Sequence, residues 1–89
     1  MKPEIKKQVV RRLKIAEGQI RGLQRMVDKE EYCIDIITQS LAIKQALSSV
    51  EDLLLENHLS SHVINQIKSG KEGKAIKEIM TVYKISKKK

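Results

Sequence analysis

The fold is decided by one long stretch, residues 33–67, which reads CIDIITQSLAIKQALSSVEDLLLENHLSSHVINQI. It contains neither Gly nor Pro, the two residue types that most disfavour a helix interior. Its aliphatic residues are distributed as in a helix that buries one side. We therefore predict a single long helix here. Gly70 follows it, in a position suited to a helix C-cap.

Two further helices are predicted, one on each side of this stretch. From Lys2 to about Val27 an apolar residue recurs every three or four positions, which is the helical period. The members of this apolar series are Ile5, Val9, Leu13, Ala16, Ile20, Leu23 and Val27. A short third helix after Gly73 has Ala75, Ile76, Ile79, Met80 and Tyr83 on its apolar side. The predicted fold class is all-α, with a three-helix protomer and a turn in DKEEYC, residues 28–33.

Length and composition limit the possible functions. A chain of 89 residues forms one domain, residues 1–89, and buries only a modest part of its surface, so we expect it to oligomerise. Its net charge of +7 favours a polyanionic partner such as nucleic acid. A single cysteine forms no internal disulfide, and no stretch resembles a membrane span or a signal peptide. We expect a cytoplasmic protein with no membrane partner, in which Cys33 is reduced.

The positive charge is concentrated at the two ends of the chain. Residues 1–27 carry eight basic and two acidic side chains, residues 28–58 carry two and seven, and residues 59–89 carry eight and two. In the first helix a basic stripe lies opposite the apolar series and consists of Lys7, Arg11, Lys14, Arg21 and Arg25. Such a stripe is suited to phosphates. With only two aromatic residues for stacking on single strands, double-stranded DNA is the better partner.

Both histidines of the chain, His58 and His62, lie one helical turn apart. This spacing occurs in metal sites, although two solvated histidines near a helix end are an equally simple interpretation. A zinc-protease motif is excluded because Leu59 stands where the glutamate base is needed. Cys33 supplies a thiol in the same predicted helix. However, the 25 positions from Cys33 to His58 span roughly 37 Å of helix, so the two cannot meet within one chain.

An antiparallel pair of these long helices solves this problem. It places Cys33 of one chain beside His58 and His62 of the other, with the two-fold axis near Ala46 and Leu47. Small residues around this centre would let the helices approach closely; they are Ala42, Ala46 and Ser49. Symmetry then gives two equivalent sites per dimer. The alternative is a structural cysteine near a helix start and two unrelated histidines.

Three segments together resemble the CsoR/RcnR family of metal-responsive transcriptional repressors, and the resemblance covers nearly the whole chain. They are RRLKIAEGQIRGLQRMV (11–27), EYCIDIITQSLAIKQAL (31–47) and LLENHLSSHV (54–63). The spacing of a cysteine, 24 residues, a histidine, three residues and a further ligand is specific to this family. The resemblance implies an antiparallel dimer with a four-helix-bundle core, a dimer of dimers, and operator binding without a conventional DNA-binding motif.

The resemblance also implies roles for particular residues. Carried over by position, the metal ligands are Cys33, His58 and His62. In the copper-sensing branch Tyr32 and Glu78 match residues that hydrogen-bond the metal-bound imidazole, and Arg12 and Lys44 match basic positions implicated in DNA binding. Two departures are visible: the usual copper sensor has a cysteine at the position of His62, and the nickel and cobalt sensor has an N-terminal histidine that is absent here.

The favoured function is a repressor that binds operator DNA when metal-free and releases it on binding Cu(I). A thiolate with two imidazoles suits three-coordinate Cu(I), while Ni(II), Co(II) or Zn(II) remain alternatives in the same fold. A metal-independent architectural DNA-binding protein is a second alternative, and a reactive Cys33 thiol that senses an aldehyde or sulfur species is a third. The absence of a second cysteine argues against persulfide sensing. An enzyme is not expected, because no nucleophile, base and oxyanion arrangement is evident.

Overall fold

The computed structural model describes residues 1–88, which form helices joined by short turns, without a strand among them. The elements are α1 (Pro3–Asp28), α2 (Cys33–Asn57), the π-helical turn π1 (His58–Val63), α3 (Ile64–Lys68) and α4 (Glu72–Ser86). Because α2, π1 and α3 follow one another without a break, the three predicted helical spans are confirmed. No helix of the described chain is both long and apolar enough to cross a bilayer.

The π-helical turn is the one departure from the predicted long helix. Two serine hydroxyls donate to the carbonyl of Asn57 immediately before it, from Ser60 at 3.2 Å and from Ser61 at 2.7 Å. Side-chain donors of this kind compete with the backbone amides that an α-helix needs and distort the helix locally. A π-helical turn inside a helix is uncommon and often lies at a functional site. Both histidines lie within this one.

Two compact units divide the chain, the first running from Met1 to Leu55 and the second beginning at Glu56. In the first unit, α1 buries Val9 and Ala16, while α2 buries Ile43 and Val50. The guanidinium of Arg12 connects these two helices by donating from Nη1 to the carbonyl of Ser49 at 3.0 Å. The prediction of one domain over residues 1–89 is not tested by this division, and Lys89 lies outside the described residues.

The second unit has a small core of its own. Val63 and Ala75 are buried there, together with the polar side chain of Asn57. Since few residues are buried in either unit, large aliphatic side chains remain exposed along α2, among them Ile37, Leu41 and Leu47. Exposed apolar area of this kind on a small helical protein is typical of a surface that another chain covers.

The helices that end at Asp28 and Lys68 are capped by the same pair of backbone hydrogen bonds. They differ in which residue adopts the left-handed conformation just after the helix. After α1, Glu31 N–H donates to Met26 and Glu30 N–H to Val27, which is a Schellman motif. After α3, Lys71 and Gly70 make the corresponding two bonds. The residue in the left-handed conformation is Gly70 (φ 72°) in one case and Glu30 (φ 53°) in the other. Gly70 therefore acts as the predicted cap, whereas Glu30 is strained.

Replacing Glu30 with Gly should stabilise the protein by about 0.5–1 kcal/mol. The left-handed backbone costs a residue with a side chain about 1–2 kcal/mol, which glycine avoids. Part of this gain is lost because glycine gives up more conformational entropy on folding. Gly70→Ala should destabilise it by about 1 kcal/mol. Urea unfolding followed by circular dichroism measures both changes. Glu31→Gly is the matched control, since it removes the same charge without relieving strain, and it should not stabilise. Equal effects of the Glu30 and Glu31 changes would contradict the argument.

Candidate metal centre and nucleic-acid interface

His58 and His62 lie side by side in the π-helical turn. Their ring centroids are 5.3 Å apart and the ring planes are inclined by 26°, so the two imidazoles stack. His62 is exposed to solvent and His58 is half-buried. The predicted pairing of these two side chains is therefore present within a single chain. Two imidazole rings are thus already neighbours on one helical turn, which is the arrangement by which histidines four positions apart can share a metal ion.

One edge of the His58 ring faces an acidic side chain from α4. His58 Nε2 lies 3.7 Å from Glu78 Oε2. The other carboxylate oxygen, Oε1, is 3.5 Å from the amide nitrogen of Gln66 and 4.0 Å from the ammonium of Lys74. A carboxylate beside Nε2 favours the tautomer that carries its proton there, which leaves Nδ1 as the nitrogen with a free lone pair.

Cys33 is the first residue of α2 and has an exposed free thiol. It belongs to the first unit, whereas both histidines belong to the second. No three His, Cys, Asp or Glu side chains within residues 1–88 are grouped closely enough to hold a metal ion. Tyr32 immediately precedes α2, and the residue is 72% exposed. The ligand set of Cys33, His58 and His62 thus remains a prediction that one chain by itself does not test.

The residues fit a soft monovalent metal ion better than a hard one. One thiolate and two imidazoles are the donors that Cu(I) and borderline divalent ions prefer, and residues 1–88 contain no carboxylate cluster suited to Ca²⁺ or Mg²⁺. The contacts of Gln66 and Lys74 with Glu78 were not anticipated from sequence. The contact of Lys74 could have been predicted, since Lys74 and Glu78 have the i,i+4 spacing of a helical ion pair. The contact of Gln66 could not have been predicted, because Glu78 lies in a different helix.

The basic stripe occupies the exposed side of α1. Lys7, Arg11 and Lys14 are exposed and line a shallow groove with Val10 and Ile15. None of these three cations pairs with a carboxylate anywhere in residues 1–88. They are therefore available to a phosphate backbone.

The other predicted DNA-binding residues differ in how accessible they are. Arg25 and Lys44 are exposed. Arg21 is exposed as well, but its Nη1 lies 3.1 Å from Glu17 Oε1. Arg12 is half-buried, and its guanidinium already donates to the carbonyl of Ser49. The predicted DNA-binding residues are therefore not equally free to bind phosphate.

Comparison with known proteins shows the family to which the chain is similar. The family described as metal-sensitive transcriptional repressor matches residues 5–84. The copper-sensing transcriptional repressor CsoR of Bacillus subtilis is 44% identical over 79 residues, which are 89% of this chain and 78% of that protein. The copper-sensing transcriptional repressor RicR of Mycobacterium tuberculosis is 44% identical over 63 residues, or 71% of this chain and 66% of that protein.

A solved structure of another copper-sensing repressor resembles this protein in fold. The crystal structure of the copper-sensing repressor CsoR with Cu(I) from Geobacillus thermodenitrificans matches with a TM-score of 0.92 and 40% sequence identity, over 99% of this chain and 92% of that one. The likeness extends over both units and all the helices described above. The chain belongs to the family of metal-sensitive transcriptional repressors.

Proposed function

We propose that this protein represses transcription by binding operator DNA in its metal-free form, and that Cu(I) bound by Cys33, His58 and His62 releases it from DNA. The observation that carries the proposal is the stacked histidine pair in the π-helical turn, with Glu78 facing His58 at 3.7 Å. Relatives at 44% identity are copper-sensing repressors, and this supports Cu(I) over other ions. The site of action is then the cytoplasm, and we assign no catalytic role.

The length of α2 supports a site shared between two chains. Its 25 residues span about 37 Å at the rise of an α-helix, with Cys33 at one end and His58 directly after the other. Two antiparallel copies of α2 bring the thiol of one chain to the histidines of its partner. The exposed Ile37, Leu41 and Leu47 supply the apolar area that such a dimer buries. A dimer of dimers is the assembly that we propose for the full repressor.

Each ligand has a defined task in this site. When bound, Cu(I) would supply a soft Lewis acid suited to one thiolate and two imidazoles. Cys33 would bind as the thiolate, with its proton released to solvent. His58 would offer Nδ1 while Nε2–H stays towards Glu78, and His62 would add the second nitrogen. Because Glu78 belongs to α4, the orientation of His58 is linked to the position of that helix, and we propose that Tyr32 assists the same imidazole.

The test is a titration of Cu(I), Ni(II), Co(II) and Zn(II) into the reduced protein on a fluorescent operator fragment, followed by anisotropy. Cu(I) should release the DNA at the lowest free concentration of the four. Ni(II) and Co(II) prefer four or more ligands, and this chain has only two histidines. Zn(II) can take the same three donors and a water, so binding by itself does not discriminate.

The variant His62→Cys sharpens this experiment. A second thiolate makes the site softer, so Cu(I) affinity should rise by about tenfold or more, and Cu(I) should still release the DNA. Competition with a chromophoric Cu(I) chelator measures the affinity. His62→Ala serves as the matched control and should lose affinity. The copper assignment is wrong if wild-type protein ignores Cu(I) and releases DNA with Ni(II) or Co(II); the assignment as a repressor would survive that result.

A further inference from the structure

Gln66 makes a polar contact that the proposed mechanism does not use. It lies in α3, is half-buried, and directs its amide nitrogen at Glu78 Oε1 over 3.5 Å. Its own carbonyl oxygen, Oε1, is buried and accepts no hydrogen bond from any residue among 1–88. Among residues 1–88, the carboxylate of Glu78 is therefore the one hydrogen-bond partner of this side-chain amide.

The orientation of the amide follows from its surroundings. Turning the group over would bring the carbonyl oxygen of Gln66 against the carboxylate oxygen of Glu78, and two acceptors repel each other. Holding Nε2 towards Glu78 leaves the carbonyl oxygen without a partner, which is unfavourable for a buried acceptor. An apolar side chain of the same length would avoid this penalty. Gln at position 66 thus leaves one buried acceptor without a partner among residues 1–88 while it provides a donor to Glu78.

The two oxygens of Glu78 have different partners. Oε1 is the atom approached by Gln66 and Lys74, while Oε2 faces His58. The Lys74 side chain is 65% exposed and its ammonium lies 4.0 Å away, so solvent weakens the ion pair and the flexible side chain does little to orient the carboxylate. The amide of Gln66 is planar, half-buried and attached to a different helix. It is the contact better able to fix the plane of the carboxylate.

We propose that Gln66 is a positioning residue of the metal response, which holds Glu78 by Oε1 so that Oε2 stays directed at His58 Nε2. This inference rests on the proposed function, because it concerns the imidazole that would bind Cu(I). Gln66 itself contacts neither metal nor DNA. It acts by keeping the His58 proton on Nε2 and by tying α3 to α4 through the same carboxylate.

The first experiment needs no metal. Nitrogen-15 NMR of the imidazole side chains in the metal-free protein, at a pH where His58 is neutral, reports which ring nitrogen carries the proton. Wild-type His58 should be mainly the Nε2–H tautomer, and Gln66→Met should shift it towards the distribution found in Glu78→Ala. Asn65→Met, an exposed amide in the same short helix, is the control and should leave the tautomer unchanged. No shift in Gln66→Met overturns the proposal.

The second experiment measures coupling on the operator fragment. The ratio of DNA affinities without and with Cu(I) should be about tenfold smaller in Gln66→Met than in wild type, in the range that partners of metal ligands contribute. Affinity of the metal-free protein for DNA should stay within about twofold, and the melting temperature should not fall. Gln66→Lys keeps a donor and should retain coupling. Gln66→Glu lacks one and should lose it, which provides a test if the Met variant folds poorly.

A double-mutant cycle separates positioning from a general structural role. In a Glu78→Ala background, which has no side-chain acceptor for Gln66, the further change Gln66→Met should have no effect on coupling, because the residue acts through Glu78. An undiminished effect in that background would contradict the proposal. If wild-type protein failed to release DNA with Cu(I), the proposed function would be wrong, and the tautomer measurement would still decide the role of Gln66 in the metal-free protein.

Discussion

Neither Cys33→Ala protein nor the double variant His58→Ala, His62→Ala should bind Cu(I) tightly by itself, yet a mixture of the two should. Each variant lacks part of the donor set, and a lost ligand should cost more than the 10–100-fold typical of a group that only supports one. In a heterodimer, the thiol of the double variant meets the two histidines of the Cys33→Ala chain. One complete site and one empty site result.

The mixing experiment has a quantitative outcome. After random exchange half of the dimers are mixed, so the tight Cu(I) capacity should be about a quarter of that of wild type. Two differently tagged wild-type samples establish that subunits exchange under the same conditions. Tight binding by either variant alone would show that the residues it lacks are not required as ligands. Demonstrated exchange without any recovery of tight binding would show that the antiparallel site is wrong.

Removing three charges from the basic stripe should have the second large effect. The triple variant Lys7→Ala, Arg11→Ala, Lys14→Ala should bind operator DNA about 100-fold more weakly near physiological salt, because each phosphate contact changes the salt slope by about 0.9. The slope of log affinity against log salt should fall by nearly three. Cu(I) affinity should be unchanged, since these residues are in α1. Anisotropy at several salt concentrations measures the slope.

Arg21 offers an internal comparison for this experiment. Glu17 competes for its guanidinium, so Arg21→Ala should weaken DNA binding less than Arg11→Ala. The change Glu17→Gln removes that competition and one negative charge, and it should strengthen DNA binding. Lys84→Ala, an exposed lysine of α4, controls for net charge and should leave the slope unchanged. A slope that is insensitive to all three stripe residues would move the DNA surface elsewhere.

The helices could be predicted because their determinants are local. The apolar period of α1, the uninterrupted stretch after Cys33 and the cap at Gly70 are all properties of short windows of sequence. The Schellman motif at Glu30 could not be predicted, since no glycine occupies the left-handed position there. The π-helical turn escaped prediction for a similar reason: two histidines four positions apart fit an α-helix equally well, and the hydrogen bonds from Ser60 and Ser61 to the Asn57 carbonyl are not apparent from the sequence.

The candidate site was predictable in part. The spacing of His58 and His62 indicates that the two rings are neighbours, and the length of helix between Cys33 and His58 indicates that a second chain is needed. The proposed role of Glu78 rests on the family resemblance, because a separation of 20 positions does not by itself indicate that Glu78 lies near His58. Gln66 meets Glu78 only through the packing of α3 and α4. Contacts between helices depend on tertiary structure, which periodicity does not specify.

The exposed aliphatic side chains of α2 suggest that metal binding depends on the concentration of the protein. If these side chains are covered only by a second copy, the dimer and the shared centre form and dissociate together by mass action. Dilution then weakens metal binding, and bound metal in turn holds the two chains together. A cell that makes less repressor would thereby alter the metal level at which the repressor responds, with no change in any ligand.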